Sequence, residues 1–430
     1  MIEMMYLLCL GILPLIYMLS CWIPKGKNWI LFLGSILCWF ILSPVVSLVM
    51  IGMFLTSWGG SRWLYQIRVD RRKKELIFLS EMLLYFVLWN ILWGSGALQE
   101  FFLGSISLLL VFLHAMKYSI DVFQGRITPV KEIDLYGFYL IGFPRIWISR
   151  YMEYSKFKRL YHKDVTWEQF KNGGKRFFFG MCRAILLGMV GIEIVRYLIS
   201  HMMEQSVFTL WIFLPLFVLS CYHIWIGLRQ LSDGLWMMAG LELKKEKSPV
   251  SFLQPLHKFV IALYPSLLSH IPIQYENGWS RKYALSIACL TALFAFCLYP
   301  SFAFLWGGMI LGIFVSCDAI PWVQKRPGWV RYTIYFIIVS IVALFLLGAD
   351  GMTYLKAMIG LEHLPFIGNM TLYQILQYGL FYLVTILCAI PWKKKKIENK
   401  WVARLMTILM ILISILLFVL LCVYFWQVSV

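Results

Sequence analysis

The sequence predicts an all-α, polytopic integral membrane protein of about 11–12 transmembrane helices with re-entrant segments, and three observations predict it. Hydrophobic residues make up 61% of the 430 residues, with a mean hydropathy of +0.76. The net charge is nevertheless +18. The charges gather in short Lys/Arg clusters between apolar runs such as Ala284–Tyr299 and Met406–Phe425, each close to the ~20 residues a helix needs to cross a bilayer. Lipid offers no hydrogen bonds to a peptide backbone, so runs of this kind must be helices. They cover most of the chain, which predicts a single integral membrane domain over 1–430 with little room for a soluble one.

The elements follow in order, with the basic clusters on one face of the membrane. Met1–Trp22 lacks a basic leader and a small-residue cleavage site and is expected to remain as a first span ending at Lys25 and Lys27. Trp29–Leu42 and Val45–Trp58 are separate spans, because Pro44 disrupts the helix and disfavours helical geometry at Ser43. Leu76–Trp93 follows the cluster Arg71, Arg72, Lys73 and Lys74, and Phe102–Ile120 returns. Phe177–Ser200 and Phe208–Leu228 make one pair, Tyr283–Leu298 and Phe302–Ile320 a hairpin around Pro300. Tyr332–Leu347, Leu372–Ile390 and a last span complete a count of about twelve crossings with both termini outside. A basic excess can signal nucleic acid, but these cations abut spans and are expected to face the cytoplasm and anionic lipid heads, with no nucleic-acid partner.

Two apolar segments resist this scheme. Leu135–Tyr151 contains Phe143-Pro144-Arg145, and Val250–Tyr275 carries Pro255, Pro265 and Pro272 just after Pro249. Prolines at that density oppose a straight span and predict re-entrant or interfacial elements, and irregular backbone at membrane depth points to an interior cavity.

Ionisable side chains inside spans each require a reason. Glu193 and Arg196 are placed to neutralise one another at i, i+3. Lys117 and Arg183 are expected to reach the interface along their aliphatic stems, and Glu81 and Asp318 to lie near enough to it to be wet. His114, His223, His257 and His270 fall nearest the membrane interior. The ten Cys lie in or beside apolar segments without Cys-x-x-Cys or zinc spacing, so they read as small hydrophobes and predict neither disulfides nor a metal site. Nucleophile-elbow, phosphate-loop and His-Glu-x-x-His motifs are absent, and no bound cofactor is expected.

Several stretches, in order, resemble the membrane-bound O-acyltransferase (MBOAT) family, in its bacterial alginate O-acetyltransferase and D-alanyl-teichoic acid transferase branch. They are Leu13-Pro14-Leu15-Ile16-Tyr17 through Ser43-Pro44, and Phe112–Gly125 with its Ile120-Asp121-Val122-Phe123. Further on come Phe143-Pro144 with Arg150-Tyr151 and Phe157, then Gly227, Gly234-Leu235 and Gly240, then Trp306-Gly307 and Tyr354–Gly360.

The resemblance implies a ring of helices around a tunnel in the cell (plasma) membrane. There a His acts as general base on an acceptor hydroxyl while a thioester-linked acyl donor, carried on a protein or on coenzyme A, arrives as substrate. The acceptor would be a cell-surface polysaccharide or teichoic-acid-like polymer, the acyl group acetyl or D-alanyl, and accessory envelope proteins would be partners alongside membrane lipid. Carried over residue by residue, one family His falls on His257. The central His position holds Cys297 in an ungapped alignment, with Tyr299 the nearest polar alternative across a gap. The motif's acidic position falls on Gln230. His257, Cys297 and Tyr299 are therefore the expected catalytic residues. An inactive MBOAT-fold scaffold or acyl conduit, and a multi-pass transporter, are the competing expectations.

Overall fold

The computed structural model describes residues 12–67, 71–95, 102–146, 152–162, 164–243, 281–298, 302–317 and 349–389, with isolated residues between 320 and 340 and at 419. Among the described residues the chain is all-helical, without strands, apart from one isolated antiparallel bridge between Tyr161 and Leu241. Six helices there are long and apolar enough to cross a membrane: Pro24–Leu42, Pro44–Gln66, Arg72–Leu92, Trp167–Ser200, Val207–Met238 and Met370–Ala389. It is a polytopic, all-α membrane protein.

The chain forms two compact units. The first holds the described residues of Met1–Gly180 and Leu228–Lys245, the second those of Met181–Gly227 and Glu246–Trp426. In the first unit α1 (Leu13–Trp22) leads through a 3-10 turn to α2 (Lys27–Leu42) and α3 (Pro44–Gln66). The break falls where proline dictates it. Ser43 is extended, its hydroxyl caps the Val46 N–H at 3.5 Å, and Pro44 takes the first helical position, where it forfeits no hydrogen bond. Next come α4 (Arg71–Gly94) and α5 (Phe102–Phe123).

The segment beginning at Leu135 is no span. It forms a short helix, α6 (Ile133–Ile141), buried on all sides from Leu135 onward, then a 3-10 turn, Phe143–Ile146. The end of α6 is tied to α2 from the side: the Trp39 indole donates to Ile141 O at 3.0 Å, and the Phe143 N–H donates to Ser35 Oγ at 2.8 Å. A helix end in an apolar interior needs such partners. The short α7 (Tyr154–Leu160) follows.

Helix α8 (Trp167–Cys182) begins the long Trp167–Ser200 element, which continues through a π-helical turn, Arg183–Met189, into α9 (Val190–Ser200). Helix α10 (Val207–Met238) runs 32 residues with Pro215 inside it. Its last turns cross the start of α8 within the first unit at glycines: a Cβ on Gly234 would lie 2.5 Å from the Phe177 backbone N, and one on Gly173 2.8 Å from Gly234 O.

In the second unit α11 (Arg281–Leu298) and α12 (Phe302–Cys317) form the hairpin expected around Pro300, sealed by Thr291 Oγ1 donating to Gly308 O at 2.8 Å. Helix α13 (Ala349–Met358) packs against α10 through Tyr354, whose hydroxyl donates to Leu210 O at 2.7 Å. Helix α14 (Asn369–Ala389) is joined to α10 by Ser206 and Thr371, 2.7 Å apart.

Candidate functional site

In the first unit two buried charged residues, Arg145 from the 3-10 turn after α6 and Asp233 from α10, line one small hollow. It is lined by Arg145, Met152, Phe157, Asp233, Trp236, Leu241 and Leu243, with about 10 Å³ of room, roughly one water molecule's worth. Arg145 sits in the 3-10 turn after α6 and is 1% exposed. Its Nε donates to Tyr139 O and an Nη to His114 Nε2 at 2.8 Å, while the guanidinium lies 4.7 Å from the Tyr139 ring and 5.6 Å from that of Trp236. Weak hydration and a flat face make Arg the cation that tolerates such an aromatic slot.

His114, on α5, has both ring nitrogens engaged. Nε2 accepts from Arg145 and from the Met152 N–H at 3.2 Å, so Nδ1 carries the proton and donates it to Leu110 O at 2.5 Å. It is a neutral imidazole that positions Arg145; in this arrangement it has no lone pair left to act as a base. Asp233, fully buried on α10, is paired with Arg176 of α8 at 2.6 Å. The glycine crossing of Gly173 and Gly234 brings these two together: Asp233 precedes Gly234, and Arg176 follows Gly173 by one turn. The neighbouring Ser232 donates to Pro144 O at 2.7 Å, fixing the Arg145 turn against α10.

One side of the hollow is closed by the Tyr161–Leu241 bridge. His162 N donates to Gly240 O at 3.0 Å and Glu242 N to Leu160 O at 2.9 Å. Gly240 has φ +99°, and a Cβ there would meet His162 O at 2.3 Å and Lys27 Nζ at 2.7 Å, so this turn requires glycine. Lys27 donates to His162 O at 3.0 Å and lies 4.9 Å from the Tyr161 ring, whose hydroxyl donates to Asn28 Oδ1 at 2.6 Å. Burial pushes the Tyr161 hydroxyl above the usual tyrosine range, with the negative charge of Asp134 adding to it. A fixed cation and a fixed anion on the wall of one hollow can orient a molecule the size of water through charge-assisted hydrogen bonds.

The second unit has its own polar knot. Arg183, in the π turn, donates from Nε to His223 Nδ1 at 3.0 Å and from an Nη to Cys388 O at 3.1 Å, and His223 Nε2 donates to Thr385 O at 2.9 Å.

Of the expected catalytic residues, His257 and Tyr299 lie outside the described residues. Cys297 has its backbone in the last turn of α11, and its side chain lies outside them too. The whole of the expected cavity-forming stretch at residues 250–275 is likewise outside, as is Asp318. Among the described residues no group of three His, Cys, Asp or Glu is placed to hold a metal ion.

Three expectations are corrected. Lys117 does not reach for the interface: it turns inward, 7% exposed, onto Asp121 at 2.6 Å. Arg183 turns to His223 in the same way. Glu81 is 3% exposed and held by Tyr85 and Ser119. In each case a polar partner within the protein outcompetes a distant aqueous one. The Glu193–Arg196 pair forms as expected, at 3.4 Å and largely exposed. Arg145 and Asp233 were not among the expected site residues; the signals for them were an Arg directly after Phe143-Pro144, and an Asp beside a glycine of the Gly227, Gly234, Gly240 spacing. No protein-family model matches the chain, and no curated protein is similar to it in sequence.

Proposed function

We propose that the protein is an MBOAT-like O-acyltransferase of the cell (plasma) membrane. It moves an acetyl or D-alanyl group from a thioester-linked donor to a hydroxyl of a cell-surface polysaccharide or teichoic-acid-like polymer. The observation that carries the reading is a convergence. Four stretches that carry the family resemblance are far apart in the chain, namely Phe112–Gly125, Phe143-Pro144, Phe157 and Gly234–Gly240. They supply or adjoin Arg145, Phe157, Asp233 and Trp236, which line one hollow, and His114, which bonds Arg145.

In the proposed reaction the acceptor oxygen bonds to the thioester carbonyl carbon, the C–S bond breaks, and the hydroxyl proton passes to a base and ends on the departing thiol. His257 is the proposed base, with Cys297 or Tyr299 at the centre.

The placement of Cys297 where the family has its central His favours a second reading, an inactive scaffold or acyl conduit. Transfer of labelled acyl groups to surface polymer, in cells with and without the protein, tests both. The enzyme reading expects transfer lost without the protein and reduced at least about 100-fold by His257→Ala. Full transfer by His257→Ala, with loss on removing the protein, sinks the enzyme reading in favour of the scaffold. Transfer indifferent to the protein sinks both, and solute uptake in proteoliposomes would then favour a transporter.

A further inference from the structure

Helix α4 carries an acid that the site above does not use. Glu81 lies near the middle of Arg71–Gly94, so about 15–20 Å of helix separates it from either end. It is buried against two other elements, α3 and α5. Its Oε1 contacts the Tyr85 hydroxyl at 2.8 Å and the Ser119 hydroxyl of α5, and these two hydroxyls are 3.4 Å from each other. On the α3 side the carboxyl lies over the bare Cα of Gly60, where a Cβ would stand 3.0 Å from Oε2. That Oε2 is fully buried and has no hydrogen-bond partner among the described residues.

Among the described residues, the surrounding side chains offer hydroxyls and no free cation. From α3 come Ser57, bonded to Tyr136 of α6, and Ser61; from α5 comes Tyr118, whose hydroxyl accepts the Val130 N–H at 2.9 Å. The nearest cations along these helices are committed elsewhere. Arg62 stacks 4.0 Å over Trp58 and donates to Lys131 O at 3.3 Å, and Lys117 is on Asp121.

The two ionisation states make different demands on this geometry. As a carboxylate, Glu81 would leave one buried anionic oxygen with no hydrogen-bond donor among the described residues, one of the least favourable states a side chain can occupy. As a neutral acid it donates from Oε1 to Ser119 Oγ and accepts from Tyr85, and Oε2 becomes a carbonyl short of one neutral hydrogen bond, a far smaller deficit. A metal cation would need several oxygens held apart by its own radius; here the oxygens close on one another at hydrogen-bonding distance. We propose that Glu81 is a proton-binding site at mid-membrane, its proton held between the carboxyl, Ser119 and Tyr85. This rests on no part of the acyltransferase reading.

The test uses the full-length protein in membranes, treated with N,N′-dicyclohexylcarbodiimide and digested for mass spectrometry. The acid O–H adds across a C=N bond of the reagent, oxygen to carbon and proton to nitrogen, and an oxygen-to-nitrogen acyl shift leaves a stable N-acylurea with nothing expelled. The expected result is an adduct on Glu81, at least about tenfold weaker at pH 9 than at pH 6, as proton occupancy falls. Sodium at constant pH and ionic strength should leave it unchanged; suppression by sodium to a similar degree overturns the proton in favour of a metal cation. Infrared difference spectra of wild type against Glu81→Gln at neutral pH give a second reading, independent of reagent access. Loss of a protonated-carboxyl C=O band supports the site even where no adduct forms, and loss of carboxylate bands instead overturns it.

Discussion

The Arg176–Asp233 pair is the contact on which the hollow's charge most directly depends, and its strength can be worked from the geometry. At 2.6 Å and an effective dielectric near 20, the attraction is about 6 kcal/mol before desolvation is subtracted. Asp233 is 1% exposed and gives up nearly all its hydration; Arg176 is 26% exposed and keeps some. Removing one member of a buried pair typically costs about 3–5 kcal/mol, mostly through the charge left behind. Arg176→Gln strands the deeper ion and should fall near the top of that range, while Asp233→Asn leaves a cation that water can reach and should cost about 3 kcal/mol. The double variant should cost less than the sum, with a coupling of about 2 kcal/mol. The assay is reversible unfolding of the four proteins in detergent micelles, followed by tryptophan fluorescence. The cycle isolates this one contact from every other that Asp233 makes. Strictly additive losses would refute the reasoning, and so would Asp233→Asn costing more than Arg176→Gln.

The same unfolding assay tests the helix crossing. Gly234→Ala pushes a methyl against the Phe177 backbone and should cost at least about 2 kcal/mol, whereas Gly59→Ala, with nothing within 4 Å, should be neutral or gain up to about 1 kcal/mol. Alkaline stability tests Tyr161. Its hydroxyl is held protonated by burial, so the folded state binds that proton more tightly than the unfolded one. The contribution is fully present below the ordinary tyrosine value near 10 and is lost as pH rises from there towards the folded value. Tyr161→Phe should flatten that alkaline fall, measured as unfolding midpoint against pH, and an unchanged slope would contradict the assignment.

What could be read from the sequence was whatever depends on neighbours a few residues away. Ser43-Pro44 announced a helix break and its cap, and Glu193–Arg196 announced a pair on one helix face. Six of the expected spans were legible among the described residues, because apolar length alone decides them. Their ends were not. The span expected at Phe177–Ser200 starts as a helix at Trp167, and the one expected to stop at Leu228 continues to Met238. Arg176 and Asp233 look like charges outside a membrane helix, but each neutralises the other across 57 residues of sequence. Glu81 was misread for the same reason, since Ser119 is 38 residues away. Lys117 was the avoidable error, because Asp121 stands one turn ahead on the same helix. The polar centre was hidden because Arg145 meets His114 and Trp236 only after α6 has folded against α2.

The bonding of His114 carries a warning for anyone mapping this protein by alanine substitution. An imidazole beside a cation in a polar interior is the first residue such a survey would nominate as a proton acceptor, and any loss on truncating it would be read as lost chemistry. The loss would be that of a strut: Arg145 would drop a bond, and the chain at Met152 would lose its anchor. A primary amide can reproduce one donor and one acceptor but can never take up a proton near neutrality, so the glutamine variant, not the alanine one, tells bracing from chemistry.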